Sequence, residues 1–220
     1  TEIENIFWRK SKLKFNNKLS LLKSLDEKPN KDWLKRINEC EDEKVLKYFL
    51  KDSKNISIED NEENLKIIWE CCQIPDFVKK TYGHHIEVVS KVFQFLTGKT
   101  KKIPNQYMKE QLSTLDKLDG NVDSLSNRIA NVRTWAYVSN KSNWVENQDY
   151  WIERTKNLED KLSDRLHEEL TKTFIDKRAS VLAKGLKQDI LFDTQIIDEE
   201  KVMINQQYIG HLKGLKIELD

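Results

Sequence analysis

From about Gln148 to Lys184 the sequence holds no proline and no glycine, and one set of positions recurs every four residues: Trp151, Thr155, Leu158, Leu162, Leu166, Leu170 and Phe174. A helix advances 3.6 residues per turn, so each step of four rotates the side chain by about 40°. Between Leu158 and Phe174 the stripe therefore turns through roughly 160°. One long helix with such a stripe meets different neighbours along its length, or it kinks; a break near Asp176 to Ala179 also accommodates the pattern.

The rest of the chain points the same way. Only six glycines and three prolines occur in 220 residues, and Pro29, Pro75 and Pro104 all lie in the first half. With the strongest breakers scarce, helices dominate the expectation. Leu19, Leu22 and Leu25 space a short helix before Pro29, Asp32 can cap another with Trp33, Ile37 and Cys40 on one face, and Val45, Leu46, Phe49 and Leu50 mark a third. A polar loop, KDSKNISIEDNEEN, follows. From about Asn61, Leu65, Ile68, Trp69 and Cys72 define a helix that Pro75 stops. Ile86, Val89, Phe93 and Leu96 define the next, ending at Gly98 as a left-handed C-cap. Pro104 or Asn105 opens a helix with Met108, Leu112 and Leu115, closed near Gly120, and Asp123 can cap one with Leu125, Ile129, Val132 and Ala136. Periodicity fades after Gly185, and Leu215, Ile217 and Leu219 alternate with Lys216 and Glu218 as in a β-hairpin. The expected fold is a mainly α, multi-helix bundle with a small C-terminal β-hairpin element. It divides into a helical connector over 1–60, a helical domain over 61–185, and a linker with the β element over 186–220.

Charge narrows the function. Lys+Arg number 38 against Asp+Glu 37, so any nucleic-acid contact must come from local patches rather than a basic excess. No run approaches the ~20 apolar residues of a membrane span, and no leader pattern opens the chain. The expectation is a soluble, unexported chain without a membrane partner. Starting at Thr1, it reads as a piece of something larger.

Several motifs fail on spacing. LTGKTKK contains the GKT of a P-loop, but the required earlier glycine is Phe93 and a helix precedes it. Cys71, Cys72, His84 and His85 are metal-binding types, yet neighbours on a helix point about 100° apart and no paired ligand spacing exists. No metal site is expected, Cys72 reads as a small core residue, and no catalytic constellation stands out. Three cysteines, Cys40 included, form no disulfide framework. The carboxylates of NLEDKLSDRLHEEL alternate with basic residues, as on a solvated helix face.

Two basic and aromatic clusters remain. RIANVRTWAYV sets Arg128, Arg133, Trp135 and Tyr137 beside an apolar stripe; KTFIDKRASVLAK carries Lys172, Lys177, Arg178 and Lys184. Arg and Lys contact phosphates, and exposed rings stack on unpaired bases. Arg128, Arg133, Trp135, Lys172, Lys177 and Arg178 are the candidate nucleic-acid contacts, with Trp135 reading equally well as core.

IWECCQIPDFVKKTYGHH, LDGNVDSLSNRIANVRTWAYVSNKSNWV and YWIERTKNLEDKLSDRLHEELTKTFIDKR resemble the C-terminal region of the mitochondrial degradosome RNA helicase subunit family and its bacterial relatives, superfamily-two ATP-dependent helicases. FWRKSKLKFNNKLSLLKSL resembles the segment after the second motor domain, and YIGHLKGLKIELD the small β element of the bacterial members. The family's motif residues recur as Gln73, Pro75, Asp76, Arg133, Trp135, Trp144, Arg154, Asp164, Leu166, His167, Phe174, Asp176 and Arg178. Cys71 stands where relatives more often carry an aliphatic residue, and Lys177 where arginine is frequent. The resemblance implies an accessory module packed on RecA-like motor domains that hold ATP and Mg, helping line a single-stranded RNA channel. The location implied is the bacterial cytoplasm or the mitochondrial matrix. The other expectation is an interaction module that recruits an exoribonuclease without touching nucleic acid.

Overall fold

The computed structural model describes residues 12–27, 33, 39–52, 58–188, 194–197, 201–204, 207–213 and 216–219. Over these the protein is mainly helical, with a small antiparallel sheet near the C-terminus.

Helix α1 (Lys18–Leu25) starts where Asn17 accepts a hydrogen bond from Ser20 N at 2.8 Å, and it buries Leu21 and Leu25. Leu19, expected on this face, is 70% exposed, because two residues of helix separate it from Leu21 by about 200°. The helix expected between Asp32 and Cys40 lies largely outside the described residues. Within it Trp33 is exposed, and Cys40 is the residue preceding α2 (Glu41–Lys47). Three acidic residues in the first turn of α2 complement the helix dipole, and the chain continues into a π-helical turn over Tyr48–Asp52.

Asn61 caps α3 (Glu62–Cys72), accepting from Asn64 N at 2.8 Å, and Thr81 caps α4 (Tyr82–Leu96). Helix α3 packs on both α2 and α4. The end of α4 differs from the sequence expectation. Thr97 closes it by donating its hydroxyl to Phe93 O at 2.8 Å, while Gly98 keeps an ordinary φ. What favours glycine there is room, since an added Cβ would lie 3.1 Å from Gln94 O. Lys101 takes the left-handed step instead, at φ 51°.

Helix α5 (Asn105–Ser113) ends well before Gly120, and α6 (Val122–Asn140) is capped by Asn121 rather than Asp123, the amide oxygen accepting from Ser124 N at 3.0 Å. Helix α7 (Gln148–Gln188) runs unbroken through Asp176 to Ala179 and through Gly185.

The chain forms two compact units, residues 1–118 with 126–162, and residues 119–125 with 163–220. In the first, Leu65, Ile68, Val89, Val92, Met108, Val132, Leu158 and Leu162 are among the core residues. The second holds four strands, β1 (Thr194–Ile197), β2 (Lys201–Ile204), β3 (Gln207–Lys213) and β4 (Lys216–Leu219), in an antiparallel meander. The expected hairpin is thus part of a larger sheet, whose first strand is the β-branched run TQII where helical periodicity has faded. Between β2 and β3 the register shifts, Val202 facing Gly210 and Met203 facing Tyr208, which leaves Ile209 as the extra residue of a bulge. No helix among the described residues is long and apolar enough to cross a membrane.

The four-residue stripe of α7 changes environment along its length. Trp151, Thr155, Leu158 and Leu162 are buried, Leu166 is half-buried, and Leu170 and Phe174 are exposed. Leu162→Ala should therefore lower unfolding stability by roughly 2–5 kcal/mol, and Leu170→Ala by no more than about 0.5 kcal/mol, read from urea titrations. Equal losses at both sites would contradict this division.

Candidate nucleic-acid interface

Helix α6 does not offer its cluster as one open face. Arg133 is exposed, but its Nε donates to Glu159 Oε1 at 2.7 Å, so part of its charge is already answered. Arg128 Nη1 donates to the carbonyl of Lys117 at 2.7 Å. The five-residue gap between them places the two arginines about 140° apart around the helix. Trp135 corrects one expectation: it is 3% exposed, with Tyr107 packed against its ring edge-to-face at 5.8 Å, so it fills the core and presents no face to a base. Tyr137 is half-buried under Lys141, whose Nζ lies 5.1 Å from the ring centroid.

The second cluster lies on the outer part of α7. Lys172 and Lys177 are both exposed and make no ion pair among the described residues; the side chains of Arg178 and Lys184 fall outside them. Helical geometry separates Lys172 from Lys177 by about 140° but sets Lys177 beside Phe174, one turn away. Phe174 is 65% exposed. An uncovered aromatic ring next to a free ammonium thus occurs here, although the sequence pattern had put the aromatic weight on Trp135.

A second polar surface, absent from the sequence reading, lies in the first unit. The segment before α5 and the segment before α7 meet in a parallel bridge, Ile103 N donating to Trp144 O at 2.7 Å and Glu146 N to Ile103 O at 3.2 Å. Trp151 Nε1 then donates to Asn105 Oδ1 at 2.8 Å, and Arg154 pairs with Asp116 at 2.5 Å. Between α5 with the turn after it and the start of α7 this leaves a hollow of about 630 Å³ lined by Asn105, Gln106, Lys109, Leu112, Ser113, Asp116, Asn147, Tyr150, Trp151 and Arg154. Single-sequence patterns miss it because its polar residues look like ordinary helix starts. The one local signal is the run of amides and aromatics in ENQDYW.

A hollow of about 600 Å³ lies between α2, the α3 to α4 connection and the start of α4, lined by Glu41, Asp42, Gln73, Pro75, Asp76, Lys79, Tyr82 and His85 among others. Asp76 Oδ1 accepts from Lys79 N at 2.9 Å, holding the turn after Pro75. His84 is exposed, whereas His85 is 7% exposed. Burial pushes the His85 pKa down, aided by His84 and opposed by Asp76 and Glu41. Burial likewise pushes both Cys71 and Cys72 thiols up, out of reach of thiolate chemistry at neutral pH. Among the described residues no group of three or more His, Cys, Asp or Glu gathers to hold a metal.

No protein family, curated protein or solved structure matches the chain.

Two solution tests follow from the titratable groups. The unfolded chain protonates His85 near the ordinary value of 6.5, and the native state resists until lower pH. Unfolded molecules thus bind more protons in that window, so the His85 contribution to stability is present above 6.5 and falls as pH drops below it. Denaturation midpoints measured from pH 7.5 to 5 should fall less steeply for His85→Gln than for the parent; identical slopes would remove His85 as the cause. With a thiol-titrating reagent at pH 8, Cys40, which is exposed, should react fast in the native protein. Cys71 and Cys72 should react only on unfolding, and fast reaction of all three would contradict their burial.

Proposed function

We propose that the chain is the accessory C-terminal helical module of an ATP-dependent RNA helicase, packing on RecA-like motor domains and contributing to the single-strand path. ATP and Mg belong to those motor domains and not to this chain. The reading draws on the resemblance of the α3 to α7 segments to the mitochondrial degradosome helicase family. Its chief support on the molecule is the outer part of α7, where Phe174 lies exposed one turn from the unpaired Lys177. Stacking is worth roughly 1–3 kcal/mol per base and tolerates any sequence, while ammonium groups follow the phosphates. Such a pair suits a strand that must slide.

A second reading is favoured by Leu170 and Ile175, which are also exposed on this part of α7. Apolar side chains in that number fit a protein-docking face, and the module would then recruit an RNA-degradation partner such as an exoribonuclease without touching nucleic acid.

Fluorescence anisotropy of a labelled 20-nucleotide oligouridine separates the two. Under the first reading the chain binds it, and with three phosphate contacts the affinity falls roughly twentyfold between 50 and 200 mM salt. Lys177→Glu and Phe174→Ala should each weaken binding at least fivefold. Salt-independent binding, or full affinity in the double variant, would leave only the docking role.

A further inference from the structure

We infer that the hollow between α5 and the start of α7 is a binding site for one unpaired nucleotide of the RNA strand, its phosphate taken by Lys109 and Arg154 and its base by Tyr150 and the amides of Asn105 and Asn147. This deepens the RNA-module reading and rests on it for the identity of the strand.

Volume comes first. About 630 Å³ falls within the roughly 300–1,000 Å³ that small-molecule sites span, so a base with its ribose and phosphate fits. The chemistry of the walls then selects among ligands. Tyr150 is held by Trp151, the rings meeting nearly edge-to-face at 4.8 Å, yet it stays 57% exposed. A pinned aromatic ring with open surface is what base stacking requires.

Hydrogen-bonding capacity is also in place and unspent. Trp151 Nε1 occupies the Asn105 carbonyl oxygen, which fixes that amide's orientation and leaves its NH₂ group as donor. The side chain of Asn147 makes no hydrogen bond among the described residues. Its backbone, at φ 50°, occupies the left-handed region, which asparagine tolerates better than most residues and which sets it at the lip of the hollow just before α7. The Asn105 NH₂ donor together with an Asn147 amide that can both donate and accept matches the edge of a base, whereas a bare anion would need only cations.

Charge completes the selection. Lys109 is exposed and makes no ion pair among the described residues. Arg154 gives Nη2 to Asp116 and retains further N–H donors of its five. The lining carries two cations against one carboxylate, a small positive surplus that suits a single phosphate diester and not a triphosphate with its metal.

The test uses the whole chain and two ligands, uridine or adenosine 5′-monophosphate and the oligouridine used above. In ¹H–¹⁵N spectra, millimolar mononucleotide should shift the side-chain amide signals of Asn105 and Asn147. Tyr150→Ala and Asn147→Asp should weaken that binding at least fivefold, while far-ultraviolet circular dichroism shows the helical fold retained. Lys109→Glu should weaken both mononucleotide and oligouridine. Unmoved amide signals would overturn the inference, as would equal shifts with inorganic phosphate, which would reduce the site to an anion trap. Oligouridine bound at full strength by the Tyr150→Ala/Lys109→Glu variant, but weakly by Lys177→Glu, would also overturn it while leaving the RNA-module reading intact. If neither ligand bound at 50 mM salt, both would fall.

Discussion

A two-bond backbone bridge between Ile103 and Val145 is the contact on which the first unit's polar surface depends. Both residues are fully buried, and their pairing joins the α4 to α5 connection to the α6 to α7 connection, which are far apart in sequence. Buried backbone N–H and C=O groups are costly when unpaired, by roughly 1–3 kcal/mol each, so the bridge is held once the surrounding side chains exclude water. From it follow the adjacency of the first turns of α5 and α7, the Trp151 to Asn105 bond, and the reach of Glu146 Oε2 to Asn105 N at 3.1 Å. Breaking the bridge would scatter the hollow without touching any residue that lines it.

Helix α7 shows how a periodicity can be read correctly and still mean two things. The spacing of four predicts a stripe that rotates, and the stripe does rotate: it is core from Trp151 to Leu162 and emerges by Leu170. No local sequence feature marks that change. Leu162 and Leu170 are the same residue at the same spacing, and only the presence or absence of packed neighbours distinguishes them. Helices α3 and α4 were legible because their apolar residues, Leu65 to Cys72 and Ile86 to Leu96, fall at helical spacing just before Pro75 and Gly98. The sheet was half legible: alternation exposed its last strand, while β1, of the same length, reads TQII and does not alternate apolar with polar.

The candidate site was less legible than the fold, for reasons that differ residue by residue. Arg133 and Trp135 have the right types for binding RNA, but type does not reveal that Glu159 neutralises one and Tyr107 helps bury the other. Both partners lie more than twenty positions away. Phe174 was visible as a stripe member, and its exposure was not. Asn105 gave no signal, because an asparagine at a helix start is first of all a local capping residue, and Asn147 and Tyr150 gave only the weak one of the amide and aromatic run ENQDYW. Only the long-range bridge turns these helix starts toward one space.

The balance of charge limits what such a surface can do. Lys101 is held by Glu63 at 2.6 Å, Arg133 by Glu159 and Arg154 by Asp116, so many of the cations serve the fold. Unpaired ammonium groups such as Lys109, Lys172 and Lys177 act over a Debye length of only about 8 Å at physiological salt. With a formal net charge of only +1 there is little net field to gather a polyanion from a distance, so the proposed RNA contact would rest on short-range stacking and a few phosphate contacts. Three such contacts weaken by roughly twentyfold over a fourfold rise in salt, so binding that relies on them depends strongly on ionic strength. Under the accessory-module proposal, the chain's own contacts would give RNA a salt-sensitive hold, to which a motor surface facing it across the path would add further phosphate contacts.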